Sequence, residues 1–390
     1  MAILAFIMNQ KLNKWDKTGQ DAEARIGTFT TKHGQFSTPN FMPVGTKASV
    51  KGVDTERLEE CGAQIMLVNT YHLWLRPGSE QVHKMGDIHK FASWSGPILS
   101  DSGGFQVFSL SGIRKLSEQG VEFRSHIDGT KMFLSPEKSI EVQEELGVDI
   151  AMVLDECPAA TYTEKQASDS LDLTIRWAKR SLDARKNSDT AIFGITQGIC
   201  FKDLRTKAAA ELGAIDFDGM AIGGLSVGEE KEKMYDVLSY HPQQLPAEKI
   251  RYLMGVGTPR DIVEAVRNGV DLFDCVMPTR SGRFGRAFIK GDEPYLNIKN
   301  ARFADLDKPL DHSCSCLACR RYGVGYIHHL FKVDEMLGPI LLSIHNLKHY
   351  LDLMGEIRSC IKSGTFETLY NSIKNSWLHV SLGSNENESE

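Results

Sequence analysis

Apolar residues in this chain gather in short runs, each closing near a Gly, Asp, Asn or Gln before a polar stretch begins. Eight such runs occupy residues 40–45, 64–70, 97–103, 149–156, 191–198, 219–225, 251–257 and 272–278. Runs of about four to eight residues bounded by turn formers read as buried strands. The stretches between them carry helix signals. Thr163 and Gln166 form a capping box, and Leu171, Ile175, Ala178 and Leu182 behind it share one helical face. Thr258 offers an N-cap with Pro259 and Asp261 in the first turn, and Gly269 is placed to end that helix. Eight strand–helix units predict an α/β fold of the (β/α)8 TIM-barrel type, with active-site groups at the C-terminal ends of the strands. A doubly wound open sheet is the alternative allowed by the same pattern.

Several segments depart from the repeat. Residues 26–39 alternate as an antiparallel hairpin around a Lys32-His33-Gly34-Gln35 turn, suited to plugging the barrel floor. Residues 120–133 alternate around Asp128-Gly129, a strong hairpin turn. Residues 281–345 are too many for a loop and predict a subdomain inserted after the eighth strand. The apolar stretch 1–8 is too short to span a membrane and lacks a signal peptide's charged leader, so it reads as a first strand. The expected division is N-terminal strands over 1–39, barrel over 40–280, insert over 281–345, C-terminal helices over 346–380 and a disordered tail over 381–390.

Composition changes this picture in one respect. The 390 residues are 41% hydrophobic and 25% charged, as in an ordinary soluble protein, and no run approaches transmembrane length, which points to the cytoplasm and to no membrane partner. The net charge of −6 is unevenly spread: Arg280 to Lys332 holds ten Lys/Arg and five Asp/Glu, leaving −11 on the rest of the chain. A basic segment on an acidic body is the footprint of a local polyanion site.

The candidate chemistry lies at the strand ends. The third run ends in Asp101-Ser102-Gly103-Gly104-Phe105-Gln106, the fourth in Asp155-Glu156-Cys157, the fifth in Gln197-Gly198, the sixth in Gly223-Gly224-Leu225 and the eighth in Asp274. An ionised Asp buried among Phe273, Val276 and Met277 costs several kcal/mol unless it is paired or put to use. Three aspartates in one apolar pocket raise one another's pKa and separate into roles: one stays an ionised nucleophile, another shuttles a proton, and a third accepts hydrogen bonds from a purine edge. The Gly255-Val256-Gly257-Thr258-Pro259 loop leads into a helix N-terminus, and with Arg280 and Arg283 it makes a plausible clamp for a nucleic-acid backbone.

Eight cysteines in a chain without a secretion signal read as reduced thiols, and three of them cluster as Cys314-X-Cys316-X2-Cys319. A fourth ligand would close a tetrahedral structural zinc site, one ion per chain. His312, His328, His329, His345 and His349 are candidates; His345 is preferred because it opens a helix-like segment after the apolar run 340–344.

Together these motifs resemble the tRNA-guanine transglycosylases (queuine tRNA-ribosyltransferases) of bacterial type, over about residues 29–353. Gly223 to Glu229, Phe273-Asp274-Cys275, Thr279 to Arg283 and the Cys314/Cys316/Cys319/His345 set carry the likeness, beside the Asp101 and Asp155 motifs. The resemblance implies exchange of the wobble guanine of GUN-anticodon tRNAs for a 7-deazaguanine base, as a step of queuosine biosynthesis. Asp274 would be the nucleophile of a covalent tRNA–enzyme intermediate, and Asp101 would protonate departing guanine. Ser102, Gly103 and Gly104 would line the base, Asp155, Gln197, Gly224 and Leu225 would read its edge, and Phe105 would stack on it. Gly255, Val256, Gly257, Thr258, Pro259, Arg260 and Asp261, with Thr279, Arg280, Ser281, Gly282 and Arg283, would hold the anticodon backbone. His345 becomes the implied fourth zinc ligand. Cys157 and Ser226-Val227-Gly228 resemble the branch that takes 7-aminomethyl-7-deazaguanine, Val227 leaving less room than the bulkier queuine needs. A homodimer is also implied.

Three rival readings are weaker. A non-catalytic partner subunit of the same fold would lack the nucleophile, a metal-dependent barrel hydrolase would need His pairs on the strand ends, and a zinc-ribbon module on an inactive barrel would not need both Asp101 and Asp274.

Overall fold

A computed structural model describes residues 11–110, 114–291 and 293–377. The expected strand at 1–8 and the tail at 381–390, with the last residues of the 346–380 segment, lie outside them. Two three-stranded antiparallel sheets accompany the main one. The first joins β1 (Lys14–Asp21), β2 (Ala24–Thr31) and β3 (Gly34–Thr38), and the second joins β7 (Arg114–Ser117), β8 (Gly120–Arg124) and β9 (Lys131–Leu134). Both predicted hairpins are present, β2–β3 and β8–β9. The added strands escaped the pattern because they are polar edge strands: β1 buries only Trp15, and β7 buries none of its residues.

The main sheet has eight parallel strands: β4 (Asn40–Met42), β5 (Met66–Val68), β6 (Ile98–Ser100), β10 (Ile150–Met152), β11 (Ala191–Thr196), β12 (Gly219–Ile222), β13 (Ile250–Leu253) and β14 (Leu272–Asp274). Their order is β4–β14–β13–β12–β11–β10–β6–β5. A parallel bridge from Val44 to Leu67 joins the two ends, with Gly45 N to Leu67 O at 2.7 Å and Leu67 N to Pro43 O at 3.0 Å. All eight predicted runs are strands of one closed barrel, and nearly every residue in them is buried, as parallel strands covered on both faces require. Helix signals also match: Thr163 and Gln166 cap the helix Glu164–Asp183, and Thr258 caps Pro259–Arg267.

Sheet β1–β3 closes the N-terminal end of the barrel. Arg25 pairs with Asp271 just before β14 and donates to Ala247 O at 2.8 Å; Asp271 also accepts Arg251 N at 2.8 Å. His33 and His89 each reach Asp149, just before β10, at 2.9 Å. Removing one member of a buried pair such as Arg25–Asp271 costs about 3–5 kcal/mol, so these contacts fix the floor.

Beyond β14 two expectations are corrected. The eighth run, 272–278, is not extended to its end: β14 stops at Asp274 and the chain turns into the helix Met277–Arg283, which carries Arg280 and Arg283, with Pro278 in its first turn, where the missing N–H costs nothing. Nor does His345 open a helix. It lies inside the 27-residue helix Leu337–Ser363, which starts eight residues earlier. That helix packs on β4 and between the helices Pro259–Arg267 and Thr55–Glu60, so the insert ends on a wall of the barrel. The insert itself holds hairpin β15 (Arg286–Phe288) and β16 (Tyr295–Asn297), followed by the helices Leu317–Arg321 and Val324–Lys332. Among the described residues no helix is long and apolar enough to cross a membrane.

Candidate active site and metal centre

A cavity of about 270 Å³ opens among the C-terminal strand ends. Asp101, Ser102, Gly103 and Phe105 line it from β6, Asp155 and Cys157 from β10, and Gln197 from β11. Gly223 to Val227 contribute after β12, Tyr252, Met254 and Gly255 from β13, and Asp274 from β14. Gly104 sits behind the lining, where a Cβ would meet the Asp155 carbonyl oxygen at 3.1 Å. A larger cavity, about 1030 Å³, lies between hairpin β15–β16 and the last two helices, away from the three aspartates.

Asp274 ends β14 with one carboxylate oxygen held twice. Tyr252 donates its hydroxyl to Oδ1 at 2.6 Å, and the Gly255 N–H donates to the same atom at 2.7 Å. Gly255 reaches this position with φ of +70°, which glycine takes without strain. Burial raises the Asp274 pKa, and the two donors oppose it. The Tyr252 hydroxyl stays protonated, its pKa pushed well up by burial and then by the Asp274 charge. An acid with one oxygen anchored can present the other to an electrophile.

Asp101 is held as firmly, by a different set of donors. Its Oδ1 accepts the amides of Thr70 and Gly103 at 3.1 Å each, and Asn69 donates to Oδ2. Burial, with a smaller contribution from Asp274, raises its pKa to about 7 despite those donors. A carboxyl poised there can both give and take a proton near neutrality. Asp155 is pushed up to about 6, by burial first, while Gln197 Nε2 donates to its Oδ2 at 2.7 Å. The other amide atom, Gln197 Oε1, is buried with no hydrogen-bond partner among the described residues. The Cys157 thiol is raised to about 12 by burial and is no nucleophile.

The four sulfur and nitrogen donors of Cys314, Cys316, Cys319 and His345 lie within 4.8 Å of one another. His345 Nδ1 stands 3.6 Å from Cys316 Sγ and 3.3 Å from Cys319 Sγ, while Nε2 meets the Phe288 carbonyl oxygen at 2.7 Å. The Nε2–H donated to that carbonyl turns the Nδ1 lone pair toward the thiols. A tetrahedral zinc with Zn–S of about 2.3 Å and Zn–N of about 2.0 Å needs N···S edges of about 3.6 Å. The donor set fits such an ion, with no position left for substrate. His312, His328, His329 and His349 are not in the group; His328 Nδ1 is 2.7 Å from the Ile298 carbonyl oxygen.

With this geometry in view, the comparisons with known proteins are decisive. The family model described as queuine tRNA-ribosyltransferase matches residues 20–379. The chain belongs to this family. It is 51% identical to a queuine tRNA-ribosyltransferase of Dinoroseobacter shibae over 360 residues, covering 92% of this chain and 95% of the relative. The protein of that name from Marinobacter nauticus is 52% identical over 351 residues, 90% and 94% of the two chains, and that of Francisella tularensis subsp. novicida 51% over 353 residues, 90% and 96%.

The residues that the family resemblance assigns to RNA are split by the fold. Val256, Thr258, Pro259, Asp261, Thr279, Ser281 and Gly282 are buried, whereas Gly255 is exposed and Arg260, Arg280 and Arg283 are half-buried. The Asp261 carboxylate is occupied by Thr258, by the Tyr235 hydroxyl at 2.6 Å and by Lys231 at 2.9 Å, and Gly255 serves Asp274. A Cβ on Gly257 would strike that of Cys275 at 2.3 Å, so this glycine lets the β13 loop lie against the end of β14. Sequence reasoning missed Asn69, Thr70 and Tyr252. The first two close the run 64–70, and Tyr252 stands two residues before Met254 on a strand whose alternate residues face the lumen, a signal available from period-two patterning alone.

Proposed function

We propose that the chain is a tRNA-guanine transglycosylase that exchanges the wobble guanine of GUN-anticodon tRNA for 7-aminomethyl-7-deazaguanine through a covalent intermediate. Family membership supports the guanine exchange, and the paired environments of Asp274 and Asp101 carry the mechanism. The Asp274 carboxylate attacks C1′ of the wobble nucleotide, forming a C–O bond as the C1′–N9 bond breaks. Asp101 gives its proton to the departing guanine and becomes a carboxylate. The incoming base then returns a proton to Asp101 and attacks C1′, releasing Asp274. Two inversions at one carbon retain the β-configuration. The target base must leave its stack to reach a cavity walled by strand ends.

Asp155, Gln197 and the Gly224–Leu225 backbone are placed to read the purine edge, beside Ser102 and Gly103. Phe105 lines the cavity with half its surface exposed, as a stacking partner would. Val227 in the cavity wall takes up room that a bulkier base would need, which favours the small aminomethyl base over queuine. The half-buried Arg260, Arg280 and Arg283 are the side chains suited to phosphate contact; the buried members of the two RNA segments shape the loops. One zinc, held by Cys314, Cys316, Cys319 and His345, supplies cross-linking alone and fastens the basic insert to the helix Leu337–Ser363. Tyr326, Val333 and Met336 stand exposed on the insert, an apolar surface suited to a homodimer contact. The cytoplasm, where tRNA is modified, is the expected compartment.

The test is incorporation of radiolabelled guanine into unmodified tRNA with guanine at the wobble position. Wild type is expected to incorporate label and Asp274→Ala to incorporate none. Label incorporated by Asp274→Ala would overturn the nucleophile assignment. Competition between the aminomethyl base and queuine settles the branch, queuine preference overturning the role of Val227.

A further inference from the structure

Arg205, behind the base-reading wall of the cavity, is used by nothing described so far. It is fully buried in the helix Lys202–Gly213, and among the described residues no carboxylate lies within ion-pair distance of it. Its donors end on backbone carbonyls: Nε on Ile199 at 2.7 Å, Nη1 on Thr196 at 3.3 Å and Nη2 on Gly224 at 3.3 Å. Burial lowers its pKa to about 10, so it stays a cation at neutral pH. The neighbouring His241, which shares a hydrogen bond with the Thr196 hydroxyl at 2.9 Å, is held neutral by burial and by Arg205, at about 3. A buried cation with no direct ion-pair partner is costly, and the Glu229 carboxylate acts on Arg205 only from beyond ion-pair distance.

Its three acceptors lie at the end of β11 and on the loops after β11 and β12, beside the residues proposed to read the base. Gln197 is followed by Gly198 and Ile199 at φ of +129° and +52°, and the left-handed region is strained for β-branched Ile. The Ile199 carbonyl is the one Arg205 holds most closely. On the other loop Gly224 has φ of +65°, and a Cβ there would come within 2.1 Å of Gln197 Oε1. Gln197 and Gly224 are thus packed together, with Arg205 bonded to the carbonyls on either side.

We propose that Arg205 is a positioning residue for base recognition. It ties the loops after β11 and β12 into one rigid wall, and its buried charge behind that wall, with no carboxylate in direct contact, favours the electron-rich oxo edge of a purine. Departing guanine gathers negative charge until it is protonated, and a fixed positive charge in a site closed to water stabilises that charge. The inference rests on the base-exchange reading.

The test uses the full, zinc-loaded protein with Arg205→Lys, Arg205→Gln and Arg205→Met. KM for guanine, KM for tRNA and kcat are measured separately, with folded fraction followed by circular dichroism. Arg205→Met is expected to raise the guanine KM roughly tenfold or more while the tRNA KM stays within about twofold. Arg205→Lys, keeping charge but fewer bonds, and Arg205→Gln, keeping a donor without charge, should fall between wild type and Met, with Lys the milder. Unchanged guanine KM in all three, or activity lost only in proportion to folded fraction, would overturn the proposal. Wild-type behaviour of Arg205→Gln would overturn the part played by charge. Absence of label in tRNA with wild type would instead sink the base-exchange reading, so the two failures are distinct.

Discussion

Asp101→Asn should make the protein inactive and, at alkaline pH, more stable. Asp101 ordinarily titrates near 3.8 and is raised to about 7 in the fold. Between those values the unfolded chain has lost the proton that the folded chain keeps, so this group's contribution to stability falls as pH rises through the window. The drop approaches about 4 kcal/mol above pH 7, at about 1.36 kcal/mol per pH unit. Solvent at the cavity mouth screens part of it, leaving about 2 kcal/mol between pH 5 and pH 8. Asn has no proton to lose and escapes the drop. It does lose the bond from Asn69, since two amino groups would then face each other, but that cost of about 1 kcal/mol does not vary with pH. Urea denaturation of both proteins at pH 5, 6, 7 and 8 measures the difference between them, in which metal-linked effects common to both cancel. The stability of Asp101→Asn relative to wild type should climb steadily with pH. A difference that is flat, or that grows toward acid, would refute burial of a titrating carboxyl at this site. Label incorporation should fall about 10²–10⁴-fold in the same variant, as expected for loss of a general acid.

Three further outcomes are expected. Tyr252→Phe removes one of the two donors on Asp274 Oδ1, so the Asp274 pKa rises further, the acidic limb of the kcat profile moves to higher pH, and kcat drops about 10–100-fold; an unmoved limb would show that the tyrosine does not set the charge of Asp274. Gly224→Ala places a methyl 2.1 Å from Gln197 Oε1 at a φ of +65°, so the guanine KM should rise well beyond the tRNA KM, and equal changes in the two would argue against this loop reading the base. Cys316→Ala should abolish tight zinc binding, read as metal content per chain against a wild-type value of about one. In that variant tRNA binding should weaken while far-ultraviolet dichroism of the barrel persists; a fully unfolded chain would show that the metal holds the barrel itself.

The barrel was legible because its strands are buried on both faces, which makes each run apolar from end to end and bounded by turn formers. Among the strands that were missed, β1 and β7 sit at sheet edges, where one polar face is enough and hydrophobic patterning is faint, and β15 and β16 are only three residues each. The misplacement of His345 has a related cause. Leu337-Gly338-Pro339 reads as a breaker, yet Pro is tolerated in a first helical turn, so the helix begins before the apolar run that seemed to precede it. Helix Met277–Arg283 was hidden in the same way by Pro278.

The site divides along another line. Asp101, Asp155, Gln197 and Asp274 announce themselves, because a polar residue closing an apolar run is costly unless used. The residues that tune them do not, because their roles come from adjacency between strands that no local pattern encodes. Tyr252 reaches Asp274 and Asn69 reaches Asp101, each from the end of the neighbouring strand, and Arg205 grips carbonyls on two neighbouring strand ends. In the proposed mechanism the motifs alone do not say which of Asp274 and Asp101 attacks and which moves the proton. The acid that meets a tyrosine and a glycine amide on one oxygen is prepared to attack, and the acid raised to about 7 is prepared to move a proton. The motif therefore names the pair, and the packing around each member assigns its role.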